Sequence, residues 1–408
     1  MKKMSADEKL MIAINCFYSL GNAMSAVFMN VYLYAYTGSL VVMSIYTILR
    51  IGLFPFFFTI GGKWTLKHPF SQTLSAGLVL IMAQLVFALF SGDAFAQMPW
   101  LVYVAAAILG TGEGLFWLSI NSLNQIVSNA ESRSMYLSNI GIFNNIASIA
   151  APLAASFIID LSASDFDGYI AIFEVVIVIY AFIALLSLKV TARSNGKNFS
   201  TWKCLSLKND KQWKYCMIST FLYGMRDSLT LTLSGLLVYN ATSGSGSVYS
   251  KLLALFAIVS IFAYRIVAVK MQRNNRMRFY QVGAVLLASS TIVLVLCPNL
   301  FGALYFGIVN AISTPMYSNP WQIIVMNAIQ DYADDENVVG RVIARETYQS
   351  IGRCMGMACI VLCYMILPES LYLIVSVIFC SSFPIILVIY ATIYHRKRDR
   401  LKQAGLIH

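Results

Sequence analysis

Charged residues are scarce in this sequence, and long hydrophobic runs take their place. Asp, Glu, Lys and Arg make up 12% of the 408 residues, whereas hydrophobic residues make up 59%. A soluble domain carries about 25% charged residues. A chain of this composition has more apolar surface than a water-soluble globule buries. The composition therefore excludes a soluble protein and predicts an all-α membrane protein.

Motifs for hydrolytic, redox or metal chemistry are also missing. The sequence contains no Walker A loop, no nucleophile elbow and no His/Cys set with metal-ligand spacing. Its three histidines fall in predicted loops or in the tail, and most of its eight cysteines lie inside apolar runs, as small core residues do. These absences predict a protein that is not an enzyme and that has no cofactor and no metal site.

Apolar runs long enough to cross a bilayer, which needs about 18 residues or more, occur along the whole chain. The twelve predicted spans are 10–36, 40–61, 70–91, 99–126, 137–160, 168–190, 213–239, 248–270, 279–297, 300–327, 340–366 and 370–394. An even number of spans places both termini on the same side of the membrane.

The basic residues predict which side that is. The formal net charge is +11, and Lys and Arg collect at the termini and in every second loop, with Lys251 as the exception. The positive-inside rule predicts a plasma-membrane protein with both termini and the central loop in the cytoplasm. The basic tail, residues 395–402, is expected to attract anionic membrane lipid rather than nucleic acid.

The segment 191–212, rich in Lys, Ser and Asn, is the one long linker. It separates two predicted pseudo-symmetric six-helix bundles, residues 1–190 and residues 213–408, the second ending in the basic cytoplasmic tail. Two similarities indicate a duplication. Trp117 aligns with Trp321 at an offset of 204 (321 − 117), and Gly21 aligns with Gly224 at an offset of 203 (224 − 21). Duplicated membrane halves place a binding site at their interface near the bilayer midplane.

Twelve spans in two related halves around a basic loop resemble the major facilitator superfamily over the whole chain. The loop GGKWTLK, residues 61–67, keeps the glycines and bases of a motif in that family but lacks its acid. Gly141 and Pro152 resemble a degenerate glycine–proline signature of its exporters. Among subfamilies, the chain is most similar to exporters of Gram-positive bacteria and, distantly, to glycolipid flippases. The resemblance implies a monomer in which spans 1, 4, 7 and 10 line a central cavity and spans 2, 5, 8 and 11 flank it.

The segment 111–125, TGEGLFWLSINSLNQ, carries a carboxylate, an indole and amides inside an apolar run. As a helix it places Glu113, Trp117 and Asn121 on one face, which is costly unless that face meets water, a ligand or a partner. Arg50 lies near the middle of predicted span 2 with no acid in its own helix, and a buried guanidinium needs a partner or an anionic ligand. Glu113 is the expected partner of Arg50. The pair either locks two helices together or takes part in binding, and both alternatives remain open.

The second half carries two adjacent Arg–acid pairs, Arg226-Asp227 and Arg345-Glu346. Adjacent residues point about 100° apart on a helix, so one member of each pair is expected to face the cavity and the other a neighbouring helix. Arg353 lies on the same helix face as Glu346. The alternative is that Arg345 and Arg353 extend to the cytoplasmic interface and have no role in a site.

Amide and aromatic side chains complete the candidate set. Amides such as that of Asn22 hydrogen-bond sugars or lipid headgroups, but they also hold helices together. Indoles in the middle of a span either stack on a ligand or fill volume, and Pro315 and Pro320 are expected to break the helix beside Trp321. The candidate substrate-binding residues are Asn22, Arg50, Trp117, Asn121, Arg226, Tyr317, Trp321 and Arg345, and the candidate proton-coupling residues are Glu113, Asp227 and Glu346.

These features predict a secondary transporter that works by alternating access and exports or flips an amphiphilic or anionic solute with proton coupling. Protonatable carboxylates near arginines are the usual chemistry of such coupling, and the excess of arginines favours a ligand with negative charge. One alternative is a multidrug or small-peptide efflux pump. A second alternative, of another class, is a receptor or scaffold without transport activity, which has no need of charged residues on a cavity face.

Overall fold

The structure is a computed structural model that describes residues 4–38, 40–129, 131–194, 198–207, 211–232, 237–238, 241, 246–330 and 338–403. Within these ranges all regular secondary structure is α-helical. The helices are α1 (Ala6–Thr37), α2 (Leu40–Gly52), α3 (Phe54–Trp64), α4 (Phe70–Phe90), α5 (Gly92–Gln97), α6 (Trp100–Val127), α7 (Arg133–Asp160), α8 (Asp165–Ser187), α9 (Thr201–Leu205), α10 (Lys211–Thr232), α11 (Gly246–Lys270), α12 (Arg276–Leu296), α13 (Leu300–Gln330), α14 (Val338–Ile366) and α15 (Glu369–Gln403).

Most of these helices coincide with predicted spans. In the described part of the chain, eight helical segments are long and apolar enough to cross a membrane by length and composition. The predicted span over residues 40–61 is assigned as two helices, α2 and α3, although Leu53 between them keeps right-handed helical angles and its amide donates to the Leu49 carbonyl at 3.2 Å. Pro55 occupies the first turn of α3. Proline has no backbone N–H to donate and a φ angle suited to a helix start, so it favours a new helix at this point.

The predicted break at Pro315 and Pro320 was wrong, because α13 continues through both prolines. Each proline removes one backbone donor. Hydroxyl groups add side-chain hydrogen bonds in the same stretch: Thr314 donates to the Asn310 carbonyl at 2.7 Å, and Ser318 donates to the Thr314 carbonyl at 2.7 Å. The amide donor that each proline lacks would bond the Ala311 or the Met316 carbonyl, so these two hydroxyl bonds do not replace it.

The chain forms two compact units. The first comprises Met1–Tyr136, Phe143–Cys204 and Ile329–Ile343, and the second comprises Leu137–Ile142, Leu205–Ala328 and Ala344–His408. In the first unit, α1 begins with a capping box. The Ser5 amide donates to Glu8 Oε2 at 2.7 Å, and the Glu8 amide donates to Ser5 Oγ at 3.1 Å, so two backbone donors at the helix start are satisfied.

Part of the predicted linker is packed within the first unit. A Cβ placed on Gly62 would meet Phe199 Cζ at 3.3 Å, and a Cβ placed on Gly340 would meet Phe199 Cβ at 2.8 Å. The Phe199 ring therefore lies against the backbone at the end of α3 and in the first turn of α14. Cys204 in α9 is buried, whereas the neighbouring Trp202 is 84% exposed.

Candidate functional site

Three alternate glycines of α6 bring other helices close to Glu113. A Cβ on Gly110 would meet the Arg50 carbonyl oxygen of α2 at 2.7 Å, and a Cβ on Gly112 would meet the Gly77 carbonyl oxygen of α4 at 2.9 Å. A Cβ on Gly114 would meet Phe57 Cβ of α3 at 2.8 Å. Small residues permit such close backbone approach between membrane helices. The sequence around Glu113 thus fixes the position of its partner, because α2 packs on α6 at Arg50.

The predicted ion pair between Arg50 and Glu113 is confirmed. Arg50 Nε donates to Glu113 Oε2 at 2.6 Å, and Arg50 Nη2 donates to Glu113 Oε1 at 2.5 Å. Two parallel hydrogen bonds between guanidinium and carboxylate form the stronger, geometrically specific type of ion pair. The Glu113 side chain is 3% exposed and that of Arg50 is 31% exposed. The carboxylate is therefore enclosed, while part of the guanidinium remains accessible.

A small polar cavity adjoins this pair. Residues of α1, α2, α4, α6 and α8 line it, among them Asn22, Tyr46, Arg50, Gln84 and Glu113. Its volume is about 30 Å³, and a water molecule needs at least roughly 10–15 Å³ measured in this way. The cavity has room for water but not for a sugar or a lipid. A larger solute requires another conformation or another surface.

Trp117 and Asn121 follow Glu113 along α6 and are both half-buried. The Trp117 ring makes edge contacts with Tyr18 and Phe116, each with ring centroids 5.4 Å apart. Tyr18 in turn stacks on Phe116 at 4.0 Å. This cluster connects α1 to α6 beside the ion pair. Trp117 therefore contributes to packing, and its half-exposed part remains a candidate ligand contact.

Glycines also bring α10 and α14 together in the second unit. A Cβ on Gly224 would overlap the Gln349 carbonyl oxygen and would lie 3.1 Å from the Arg353 amide nitrogen. A Cβ on Gly352 would overlap the Phe221 carbonyl oxygen. The two backbones are thus in direct contact. This contact places the charged residues of α10 next to those of α14.

Five charged side chains form a chain of ion pairs across these two helices. Arg353 Nε and Nη2 donate to Asp227 Oδ2 at 3.1 and 2.9 Å, and Arg353 Nη1 donates to Glu346 Oε1 at 3.4 Å. Arg345 Nη2 lies 3.2 Å from Glu346 Oε2, and Arg226 Nη1 lies 3.8 Å from Asp227 Oδ1. All five side chains are between 8% and 29% exposed. Three guanidinium groups face two carboxylates, so the group carries one net positive charge when all of them are ionised.

Stacked aromatic rings lie near the α10 end of this charge chain. Tyr223 of α10 stacks on Trp321 of α13 with centroids 3.8 Å apart and on Tyr317 at 5.8 Å. Trp321 is 4% exposed. Its Nε1 has no hydrogen-bond partner in the part of the chain that the structure describes. A buried indole N–H usually finds an acceptor, so the Trp321 N–H is an unmatched buried donor in the described structure.

Comparison with known proteins assigns these features to a family. A sequence model of the Major Facilitator Superfamily matches residues 11–357. The chain belongs to the Major Facilitator Superfamily. It is a multi-pass membrane protein, and membership in a family of transporters indicates a transporter rather than an enzyme.

Two bacterial relatives of this superfamily member are similar in sequence. The uncharacterized protein YqgE of Bacillus subtilis (strain 168) is 23% identical over 361 residues, covering 88% of this chain and 83% of the relative. An uncharacterized protein in the sodM 3′ region of Geobacillus stearothermophilus is 27% identical over 172 residues, covering 42% of this chain and 78% of the relative. The predicted similarity to proteins of Gram-positive bacteria fits these matches.

Solved transporters of this superfamily share the fold. A single-residue variant of the Escherichia coli fucose:proton symporter FucP has a TM-score of 0.70 at 12% identity, with 93% of this chain and 98% of that chain covered. A bacterial homologue of the iron transporter ferroportin in the outward-facing state has a TM-score of 0.72 at 13% identity, with coverage of 95% and 98%. The human organic anion transporter MFSD10 (TETRAN) has a TM-score of 0.66 at 12% identity, with coverage of 94% and 99%.

Sequence reasoning missed several residues that this superfamily member places beside the candidates. Tyr46 lies one turn before Arg50 on the same face of α2, so the spacing of four residues could have predicted that both line the same cavity. The pairing of Arg353 with Asp227 joins residues 126 positions apart and gave no such signal. The stacking of Tyr223 on Trp321 was likewise not predictable, since it depends on how α10 packs against α13.

Proposed function

We propose that this protein is a secondary active transporter that works by alternating access and couples protons to the export or flipping of an amphiphilic or anionic solute, such as a lipid-linked sugar. One observation carries the proposal. Each unit holds carboxylates paired with arginines inside otherwise apolar helices, at Glu113 in the first and at Asp227 and Glu346 in the second. Ionisable residues inside membrane helices mark ion and substrate pathways.

Proton coupling follows from what protonation does to such a pair. A proton on Glu113 removes the charge that holds Arg50, so the guanidinium becomes free to bind an anionic group of the solute. Asp227 and Glu346 have the same role in the second unit, where each pairs with Arg353. A solved transporter of the same fold is described as a fucose:proton symporter, which supports a proton as the coupling ion.

The solute is expected to carry negative charge and an apolar or ring-shaped part. The charge chain of the second unit has three arginines to two carboxylates, and Arg226 and Arg345 form its two ends. Tyr317 and Trp321 lie nearby, 1% and 4% exposed, and would offer aromatic surface and an indole donor in a conformation that uncovers them. Asn22, Trp117 and Asn121 are the proposed contacts from the first unit. Another solved transporter of this fold is described as an organic anion transporter.

Efflux of lipophilic cations or small peptides is the alternative within the class. A cation site favours carboxylates without arginines, and here the carboxylates at the candidate sites are paired with arginines. A scaffold without transport activity is the alternative of another class. Buried charges are costly in apolar helices, and a scaffold has no function that offsets this cost.

A thermal-shift screen of the purified protein against sugars, lipids, peptides and drugs tests the solute class. A ligand at 100 times its Kd stabilises the folded state by about 2.7 kcal/mol. We expect anionic glycolipids or related acids to raise Tm and lipophilic cations to leave it unchanged. The shift should disappear in Arg345→Gln and persist in the control Arg193→Gln, an exposed position outside the described helices. Stabilisation by cationic drugs alone would contradict the proposed solute.

The proposal includes twelve spanning helices in two six-helix bundles, residues 1–190 and 213–408. The protein is a monomer in the plasma membrane, with both termini and the linker 191–212 in the cytoplasm. The basic residues of the tail, 395–402, attract anionic lipid. We expect a cysteine introduced at Ser194 to react with a membrane-impermeant maleimide only after the cells are opened. Reaction from outside intact cells would overturn this topology.

A further inference from the structure

Tyr46 is buried beside the Arg50–Glu113 pair, yet its hydroxyl has no partner among the protein atoms of the described residues. The side chain is 2% exposed. A buried hydroxyl without a hydrogen bond loses its hydration and gains nothing in return. Tyr46 precedes Arg50 by one helical turn, so both side chains lie on the same face of α2. An orphaned hydroxyl at this place needs an explanation.

The adjoining cavity supplies one. Tyr46, Arg50 and Glu113 all line the cavity of about 30 Å³, together with the amides of Asn22 and Gln84. At roughly 10–15 Å³ or more for each water, this space takes about two water molecules. A polar cavity of this kind is hydrated, whereas empty cavities are apolar. Water in the cavity is therefore the natural partner of the Tyr46 hydroxyl.

The other titratable groups facing Glu113 differ from Tyr46. Tyr18 of α1 and Tyr180 of α8 also line the cavity beside Glu113. Helix α2 contributes Arg50 and Tyr46, and α4 contributes uncharged residues to the cavity wall. Among the three tyrosines of this cavity, Tyr46 is the one whose hydroxyl is both buried and without a hydrogen-bond partner in the described structure.

We propose that the Tyr46 hydroxyl positions the water through which Glu113 gains and loses its proton. This inference rests on the proposed role of Glu113 in proton coupling. In the step, a proton moves from cavity water to a carboxylate oxygen of Glu113, the bond to the donor water breaks, and a proton from bulk water restores that water. Arg50 keeps its charge throughout. Tyr46 is a positioning residue, because it orients the water and does not retain the proton.

Infrared difference spectroscopy after a pH jump tests this without a known solute. The full-length protein is placed in liposomes, and the carboxyl band that disappears in Glu113→Gln is assigned to protonated Glu113. We expect Tyr46→Phe to keep that band at acid pH but to slow its appearance by roughly a hundredfold, the low end of the effect of a positioned proton-transfer group. Tyr32→Phe is the matched control. Tyr32 is equally buried, and its hydroxyl donates to the Ala88 carbonyl at 3.1 Å outside the cavity.

Each outcome decides one claim. If no band depends on Glu113, the proposed role of Glu113 as the proton carrier fails. If the band is present and forms at the wild-type rate in Tyr46→Phe, the role of Tyr46 is overturned while that of Glu113 stands. Leu109→Phe provides an independent variant, because Leu109 lines the cavity from α6 and a larger side chain expels its water. An unchanged rate in that variant would also overturn the inference.

Discussion

Replacing Arg50 by alanine should destabilise the protein more than removing both members of the ion pair. Arg50→Ala leaves the Glu113 carboxylate, which is 3% exposed, without its bidentate partner. Breaking a buried pair from one side costs about 3–5 kcal/mol. Because Arg50 is 31% exposed, the lower end of that range applies. With about 2–4 °C of Tm per kcal/mol for a unit of this size, we expect a fall of roughly 6–12 °C.

The double variant Arg50→Ala/Glu113→Ala separates an unpaired charge from lost packing. Without the carboxylate no uncompensated charge remains, so we expect thermal melting in detergent to recover at least half of the loss. Arg193→Ala, an exposed position, serves as the control for removing a positive charge and should melt like the wild type. If the double variant is as unstable as Arg50→Ala, the pair contributes through packing and the electrostatic explanation is wrong.

Glu113→Gln should have the largest effect on transport, and it should act on coupling rather than on solute exchange. Glutamine keeps the shape of the side chain and one acceptor oxygen for Arg50, but its NH2 group is a donor, and it neither carries a negative charge nor takes up a proton. Asp227 and Glu346 share Arg353 and lie beside Arg226 and Arg345, so their carboxylates are held by several cations. Glu113 has a single guanidinium partner in the described structure, Arg50, so replacing this one carboxylate removes the whole pair.

Hydropathy and spacing predicted the helices and the Arg50–Glu113 pair because both depend on local pattern. An apolar run defines a span by its length, and an isolated arginine in such a run requires an acid. Gly110 and Gly112 are plain in the sequence, but only the structure shows that they allow close backbone contact with Arg50 and Gly77. Close backbone contact between helices is a property of two segments, and a single segment does not reveal its partner.

The predictions about the prolines also depended on contacts that one segment of sequence does not show. Pro55 starts a helix, whereas Pro315 and Pro320 lie inside one, although the residue type is the same. Neighbouring hydroxyls do not explain this difference, because Thr59 donates to the Pro55 carbonyl just as Thr314 donates to the Asn310 carbonyl. Likewise, the orphaned hydroxyl of Tyr46 depends on a cavity enclosed by five helices, which no single helix predicts.

The central claim is that Glu113 carries the coupled proton, and transport by proteoliposomes measures this most directly. The solute is the compound with the largest stabilisation in the thermal-shift screen, and its initial rate is recorded with a pH gradient and as exchange without one. Glu174→Gln, an exposed helix carboxylate, is the matched control. We predict that Glu113→Gln exchanges the solute but is not accelerated by the gradient, while Glu174→Gln behaves like the wild type. Acceleration of Glu113→Gln by the gradient to the wild-type extent would contradict the account.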